Sequence, residues 1–186
     1  TLMAADSAVM VIDASKGVEN QTRKLFKVCV MRKIPIFTFI NKMDREARDP
    51  FDLLDEIEKE LGIATVPINW PIGSGRDFRG VYERASREVV CFVANNGRNE
   101  VKAVRCAIDD PSIADVIPQD QRAQLNDEIE LLDGASDEFD LTEVQKGRLS
   151  PVFFGSALTN FGVEPFLRAF LDMTTAPLPR IADSGE

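Results

Sequence analysis

Two short runs constrain this chain more than anything else in it. Ala8-Val9-Met10-Val11-Ile12 and Ile34-Pro35-Ile36-Phe37-Thr38-Phe39-Ile40 are apolar almost without interruption. A strand with one wet face alternates polar and apolar residues, whereas a strand apolar on both faces must be covered on both, as in a parallel sheet. Between the runs, Asn20 to Arg32 carries Leu25, Val28 and Cys29 at helical spacing, which predicts that these three share a buried face. Strand, helix and strand in this order predict a right-handed βαβ unit. Pro35 sits near the start of the second strand, where a missing donor does least harm.

The next helix is punctuated at both ends. Asp49 is a natural N-cap and Pro50 suits the first helical position. Leu53, Ile57 and Leu61 then repeat at one face, and Gly62 is placed to end the helix in a left-handed conformation.

After that the pattern changes. Val66–Trp70, Gly80–Tyr82, Val89–Val93 and Val101–Ile108 are expected to be short strands, broken by Gly73-Ser74-Gly75 and by Asn95-Asn96-Gly97, a hairpin-type turn. A helix with Leu125, Ile129 and Leu132 on one face follows, closed by Gly134, and the acidic Asp137–Asp140 leads on to Leu149. The first pattern then resumes with Pro151-Val152-Phe153-Phe154, the turn Gly155-Ser156-Ala157-Leu158, and a helix from about Gly162 with Phe166, Leu167, Phe170 and Leu171 inward. The expected fold is therefore α/β. Residues 1–65 and 149–179 form a parallel sheet with flanking helices, 66–148 a small inserted α+β unit, and 180–186 a linker after Pro177 and Pro179.

Composition narrows the function. Across 186 residues, 22 Lys+Arg stand against 31 Asp+Glu, a net charge of −9, which argues against a free nucleic-acid-binding domain. No apolar run approaches the roughly 20 residues of a membrane span, and no basic-then-apolar leader is present, so a cytoplasmic protein is expected. Cys29, Cys91 and Cys106 have no metal-type spacing and read as reduced, buried thiols. Histidine is absent, which excludes Ser-His-Asp catalysis, a histidine base and histidine-ligated zinc in this chain.

The chemistry sits in Asn41-Lys42-Met43-Asp44, directly after the second buried strand. Ligands of open parallel sheets bind beyond the carboxyl ends of the strands. An ionised Asp44 can accept from the ring N–H and the exocyclic amino group of guanine together. Asn41 can bond a ring nitrogen on the opposite side, and Lys42 can lay its stem along the purine face with its ammonium in water. Adenine lacks the donor pair and would strand a desolvated carboxylate, at a cost on the order of a few kcal/mol, or a hundredfold in selectivity. The plainer alternative is a polar turn in which Asp44 caps a neighbour; the position after a βαβ unit favours the nucleotide. Ser156 would hold the second turn by a side-chain bond, and the Ala157 N–H could donate to the guanine carbonyl.

Asn41-Lys42-Met43-Asp44 and Ser156-Ala157-Leu158 resemble the fourth and fifth motifs of the P-loop GTPases, and Leu2–Asp44 is similar to the translational GTPases. Three further segments resemble the release-factor-three branch of that family more than elongation factor G. They are Asn69-Trp70-Pro71-Ile72-Gly73-Ser74-Gly75 with Phe78 and Gly80-Val81-Tyr82; Arg48-Asp49-Pro50 with Leu53-Leu54-Asp55-Glu56; and Pro151–Leu158 with Asn160-Phe161-Gly162-Val163. The resemblance implies a GTPase of translation termination. It would bind GDP and GTP, with Mg²⁺ in the parent protein, engage the ribosome, and promote departure of the factor that read the stop codon. Asn41, Lys42, Asp44, Ser156, Ala157 and Leu158 would bind guanine. A segment of elongation factor G or of a ribosomal protection protein is the alternative within the family, and a non-enzymatic ribosome-interaction module the alternative outside it.

Other family motifs are not in the sequence. It contains no G-x-x-x-x-G-K-[ST], and the switch segments, the metal-binding Asp-x-x-Gly and the family's hydrolytic histidine are missing. Gly73-Ser74-Gly75 lacks the lysine, and Asp13-Ala14-Ser15-Lys16-Gly17 has one residue too many and follows the wrong strand. The chain, opening at Thr1-Leu2-Met3-Ala4, is expected to be a piece of a longer protein, with no catalytic or metal-binding residue of its own and no GTP hydrolysis alone. In the family the phosphate-loop strand lies beside Ala8–Ile12, so an apolar sheet edge is expected to be bare here and to invite self-association. Arg76, Arg79, Arg84 and Arg87, interleaved with Asp77, Glu83 and Glu88, read as a solvated mixed-charge face rather than an RNA contact. Trp70 and Phe78 are expected in the core.

Overall fold

The computed structural model describes residues 5–94, 101–135 and 138–174. The expected turn at Asn95-Asn96-Gly97 and the proline-rich linker lie outside them. Strands β1 (Ala8–Asp13), β2 (Ile36–Asn41), β3 (Ala64–Pro67) and β8 (Leu149–Phe154) form one parallel sheet in the order β1-β2-β8-β3. Strands β4 (Asn69–Ile72), β5 (Gly80–Glu83), β6 (Glu88–Ala94) and β7 (Val101–Ala107) form an antiparallel meander. Helices α1 (Asn20–Met31) and α2 (Pro50–Leu61) pack on one face of the parallel sheet; α4 (Leu141–Gln145) and α5 (Val163–Met173) pack on the other. Helix α3 (Gln119–Ala135) buries Leu125, Ile129 and Leu132.

The central strands explain the apolar runs. Ile36 and Ile40 of β2 join Val152 and Phe154 of β8 beneath α1 and α2, while Phe37, Phe39 and Phe153 point the opposite way beneath Phe166 and Phe170 of α5. The Phe37 and Phe170 rings meet edge to face at 4.9 Å. Two covered faces leave no position for a polar residue except a paired one. Thr38 and Ser150 supply that exception, their hydroxyls 2.8 Å apart and fully buried.

Helix α2 begins and ends where its punctuation lies. Asp49 accepts from Phe51 N at 2.8 Å and Asp52 N at 3.3 Å, and Gly62 adopts φ 68°.

Five expectations are corrected. Strand β1 is covered on one face only: Val9 and Val11 are 41% and 57% exposed, because β1 is the edge strand and α5 lies over β2 and β8. On α1 the buried residue is Phe26 beside Cys29, and Leu25 is exposed, since the helix presents a face rotated by one position toward the sheet. On α5, Phe166 is buried and Phe170 packs against it, but Leu167 and Leu171 are exposed on the flank. Val66–Trp70 is two strands, not one. It breaks at Ile68, where the chain leaves the parallel sheet for the antiparallel one. Gly134 lies inside α3 rather than after it. Helix α4 has no counterpart among the expected elements; Asp140 caps it by accepting from Thr142 N at 2.7 Å.

One continuous core joins the two sheets, running from Ile12 and Leu53 through Trp70 and Val81 to Leu132. Trp70 is fully buried between Phe51 and Phe154, with its indole N–H donated to Glu128 at 2.7 Å. Phe78 is buried and faces Phe161. Arg84 and Arg87 pair with Asp133, and Arg79 with Asp77, in a mixed-charge face. Cys29 and Cys91 are buried free thiols and Cys106 is half-buried; burial pushes the Cys91 thiol up to about 12.

Candidate nucleotide-base site

Strands β2 and β8 are parallel neighbours with Ile40 opposite Phe154, so the turns that leave them emerge side by side. Residues 41–44 and 155–158 come together at this carboxyl edge. The amide oxygen of Asn41 accepts two backbone donors, Lys42 N at 2.8 Å and Ala157 N at 2.9 Å. The hydroxyl of Ser156, itself fully buried, donates to Asp44 Oδ1. Thr159 N donates in turn to Ser156 Oγ at 3.3 Å. Asn41, Lys42 and Asp44 are half-buried, whereas Ala157 and Leu158 are exposed.

The Ala157 N–H is thus engaged by Asn41 rather than left to meet a ligand, and Leu158 is largely exposed. Both Ser156 and Ala157 act on the first turn: one orients the carboxylate, the other the amide.

The turns are held from behind. Met43, fully buried, donates its backbone N–H to Gly155 O at 3.1 Å and accepts from Gly75 N at 2.8 Å. The base turn is therefore clamped between the β8 turn and the loop after β4. Gly155 permits the close approach. A Cβ there would lie 2.5 Å from Phe161 O and 2.9 Å from the Phe39 ring.

Sequence reasoning missed one member. Lys42 has φ 72°, and its ammonium reaches Asp13 Oδ2 at 2.6 Å. The Lys42 hydrogen bond, helped by two from Ser15 and opposed by partial burial, lowers the Asp13 carboxyl to about 2. The available signal was positional: Asp13 ends a strand parallel to the one that ends at Asn41. Among the described residues no group of three or more His, Cys, Asp or Glu could hold a metal ion, and no helix is long and apolar enough to cross a membrane.

These two polar turns at the carboxyl edge of a parallel sheet, one presenting a carboxylate and an amide braced by the other, lie in a chain that matches a known family. Residues 1–176 match the elongation factor Tu GTP binding domain. The chain belongs to that GTP-binding domain family. The domain is 55% identical over 187 residues to peptide chain release factor 3 of Synechococcus elongatus, and 54% identical over 183 residues to that of Symbiobacterium thermophilum. These alignments cover 100% and 98% of this chain, and 34% and 35% of the relatives, so the chain spans about a third of their length. In fold it is similar to a crystal structure from Thermus thermophilus, with TM-score 0.67 at 21% identity, covering 95% of this chain and 27% of that one. The resemblance to the release-factor branch of the translational GTPases is borne out by these relatives, and the α/β fold with its parallel sheet by the structure.

Proposed function

We propose that this chain reads the guanine base of GDP and GTP within a translation-termination GTPase. The observation that carries the reading is the convergence of Asn41 and Asp44 on one edge, each oriented by a separate bond from the β8 turn. With Oδ1 of Asn41 taking two donors, its amino group is the end turned to a purine ring nitrogen. With Oδ1 of Asp44 held by Ser156, the carboxylate is oriented before a ligand arrives, and accepts the paired donors that only guanine among the common bases supplies. Lys42 lays its stem along the purine face. Leu158 completes the exposed rim of the site beside Ala157.

The turns after β2 and β8 carry this site, and the insert, which leaves the parallel sheet after Pro67, buttresses it through Gly75. The phosphates and Mg²⁺ of the nucleotide are handled by no residue assigned here, and the 186-residue chain alone is expected not to hydrolyse GTP. Acting in the cytoplasm, the full-length gene product would use the ribosome to stimulate hydrolysis and would promote departure of the stop-codon-reading factor.

The test is nucleotide competition on the full-length gene product. GDP is expected to outcompete ADP by a hundredfold or more, on the order of a few kcal/mol. Asp44→Asn is expected to shift that preference to xanthosine diphosphate, whose carbonyl at the same ring position accepts from an amide N–H. Equal binding of GDP and ADP by the unsubstituted protein defeats the reading.

A further inference from the structure

Asp13 stands opposite Asn41 in the parallel register, one strand away from the base turn. Its carboxylate is divided between two tasks. Oδ1 accepts Ser15 N at 3.0 Å and Ser15 Oγ at 2.7 Å; Oδ2 accepts the Lys42 ammonium at 2.6 Å. Its side chain is 11% exposed, and that of Lys42 42%.

The loop that carries Asp13 is anchored throughout. Lys16 N and Gly17 N donate to Asp13 O at 3.0 and 2.9 Å, and Ala14 N donates to Asn41 O at 2.9 Å. Ala14 O accepts from Arg48 N at 3.0 Å, and Val18 N reaches Glu56 Oε1 at 3.0 Å. Glu56 is also paired with Arg48. The carboxylate is a fixed point, held by α2 as well as by its own turn.

Lys42 is the opposite case. Its long stem is rich in rotamers when free, and its positive φ is a conformation that persists only where the surroundings dictate it. We infer that Asp13 is a positioning residue of the base site: by fixing the Lys42 ammonium at the end of β1, it stretches the lysine stem into a rail for the purine face. The inference rests on the guanine-site reading above. A strand-end ion pair of structural value only is the competing account, and the two differ in what happens when Lys42 is already gone.

The experiment is a double-mutant cycle on the full-length gene product, with fluorescent GDP as probe and ADP as competitor. Asp13→Asn keeps an acceptor for Ser15 while removing the charge, and Lys42→Met keeps an apolar stem while removing the ammonium. Each is expected to weaken GDP about three- to tenfold, the scale of one side chain losing its order. The double variant is expected to bind no more weakly than Lys42→Met, and the preference for GDP over ADP, which belongs to Asp44, is expected to stay intact throughout. If Asp13→Asn does not fold, Asp13→Glu, with the charge displaced by one methylene, carries the same expectation. Wild-type affinity in Asp13→Asn, or losses that multiply in the double variant, overturns the role of Asp13. Loss of any GDP preference in the unsubstituted protein overturns instead the base-site reading on which it stands.

Discussion

The side-chain amide of Asn69 grips the backbone of Phe154 from both ends: Nδ2 donates to Phe154 O at 3.1 Å, and Phe154 N donates to Asn69 Oδ1 at 2.7 Å. The ladder between β3 and β8 ends at Pro67 and Val152, where the chain turns away toward the second sheet. Asn69 continues that ladder with its side chain, so the last residue of β8 before the Gly155 turn keeps both backbone groups paired in the buried interior.

Asn69→Leu is therefore expected to destabilise the fold by roughly 2–6 kcal/mol, since two buried backbone groups lose their partners at about 1–3 kcal/mol each. Urea denaturation measures it. An unchanged midpoint would show that Phe154 finds other partners.

Ser156→Ala is expected to reduce GDP affinity about tenfold, the value of a hydrogen bond to a charged acceptor. ADP affinity should not change, because adenine offers nothing for Asp44 to accept. Parallel losses for both nucleotides would mean that the hydroxyl holds only its own turn, through Thr159.

Asp13 makes stability depend on pH with a defined sign. Its carboxyl is lowered from 3.8 to about 2 in the folded chain, chiefly by the Lys42 hydrogen bond. A depressed folded value stabilises above the unfolded one and is lost as pH falls through the folded one. The deficit of Asp13→Asn relative to the unsubstituted chain should be at most about 2 kcal/mol near pH 7 and should close between about pH 4 and pH 2. A gap independent of pH in denaturation would assign the deficit to packing.

The 186-residue chain expressed by itself is expected to self-associate. Val9 and Val11 lie exposed on the edge strand, on the same sheet face as α5 with its exposed Leu167 and Leu171. Among the described residues no strand pairs the outer side of β1. Replacing Val9 and Val11 together by Lys should return light scattering to monomer mass; a monomeric unsubstituted chain at high concentration would contradict the expectation.

Helix α2 was legible because its signals are local: a cap, a proline and a glycine each act within a few positions. The polar turn Asn41–Asp44 was legible because strand β2 is apolar up to Ile40 and polar just beyond. Leu25, Leu167 and Leu171 misled because periodicity identifies an apolar face without saying how far its neighbour extends. The break at Ile68 was hidden because both strands it separates are apolar, and nothing in Val66–Trp70 marks a change of sheet.

By itself the sequence determined the opening strand–helix–strand order, helix α2 and the polar turn at the end of β2, since propensity, capping and turn chemistry are settled between nearby residues. Only the tertiary structure decided that Ser156 meets Asp44 across 112 positions, that Asp13 anchors Lys42, and that the face of β1 bearing Val9 and Val11 stays uncovered. Those outcomes depend on which surfaces remain once every element has packed, and no segment contains that information alone.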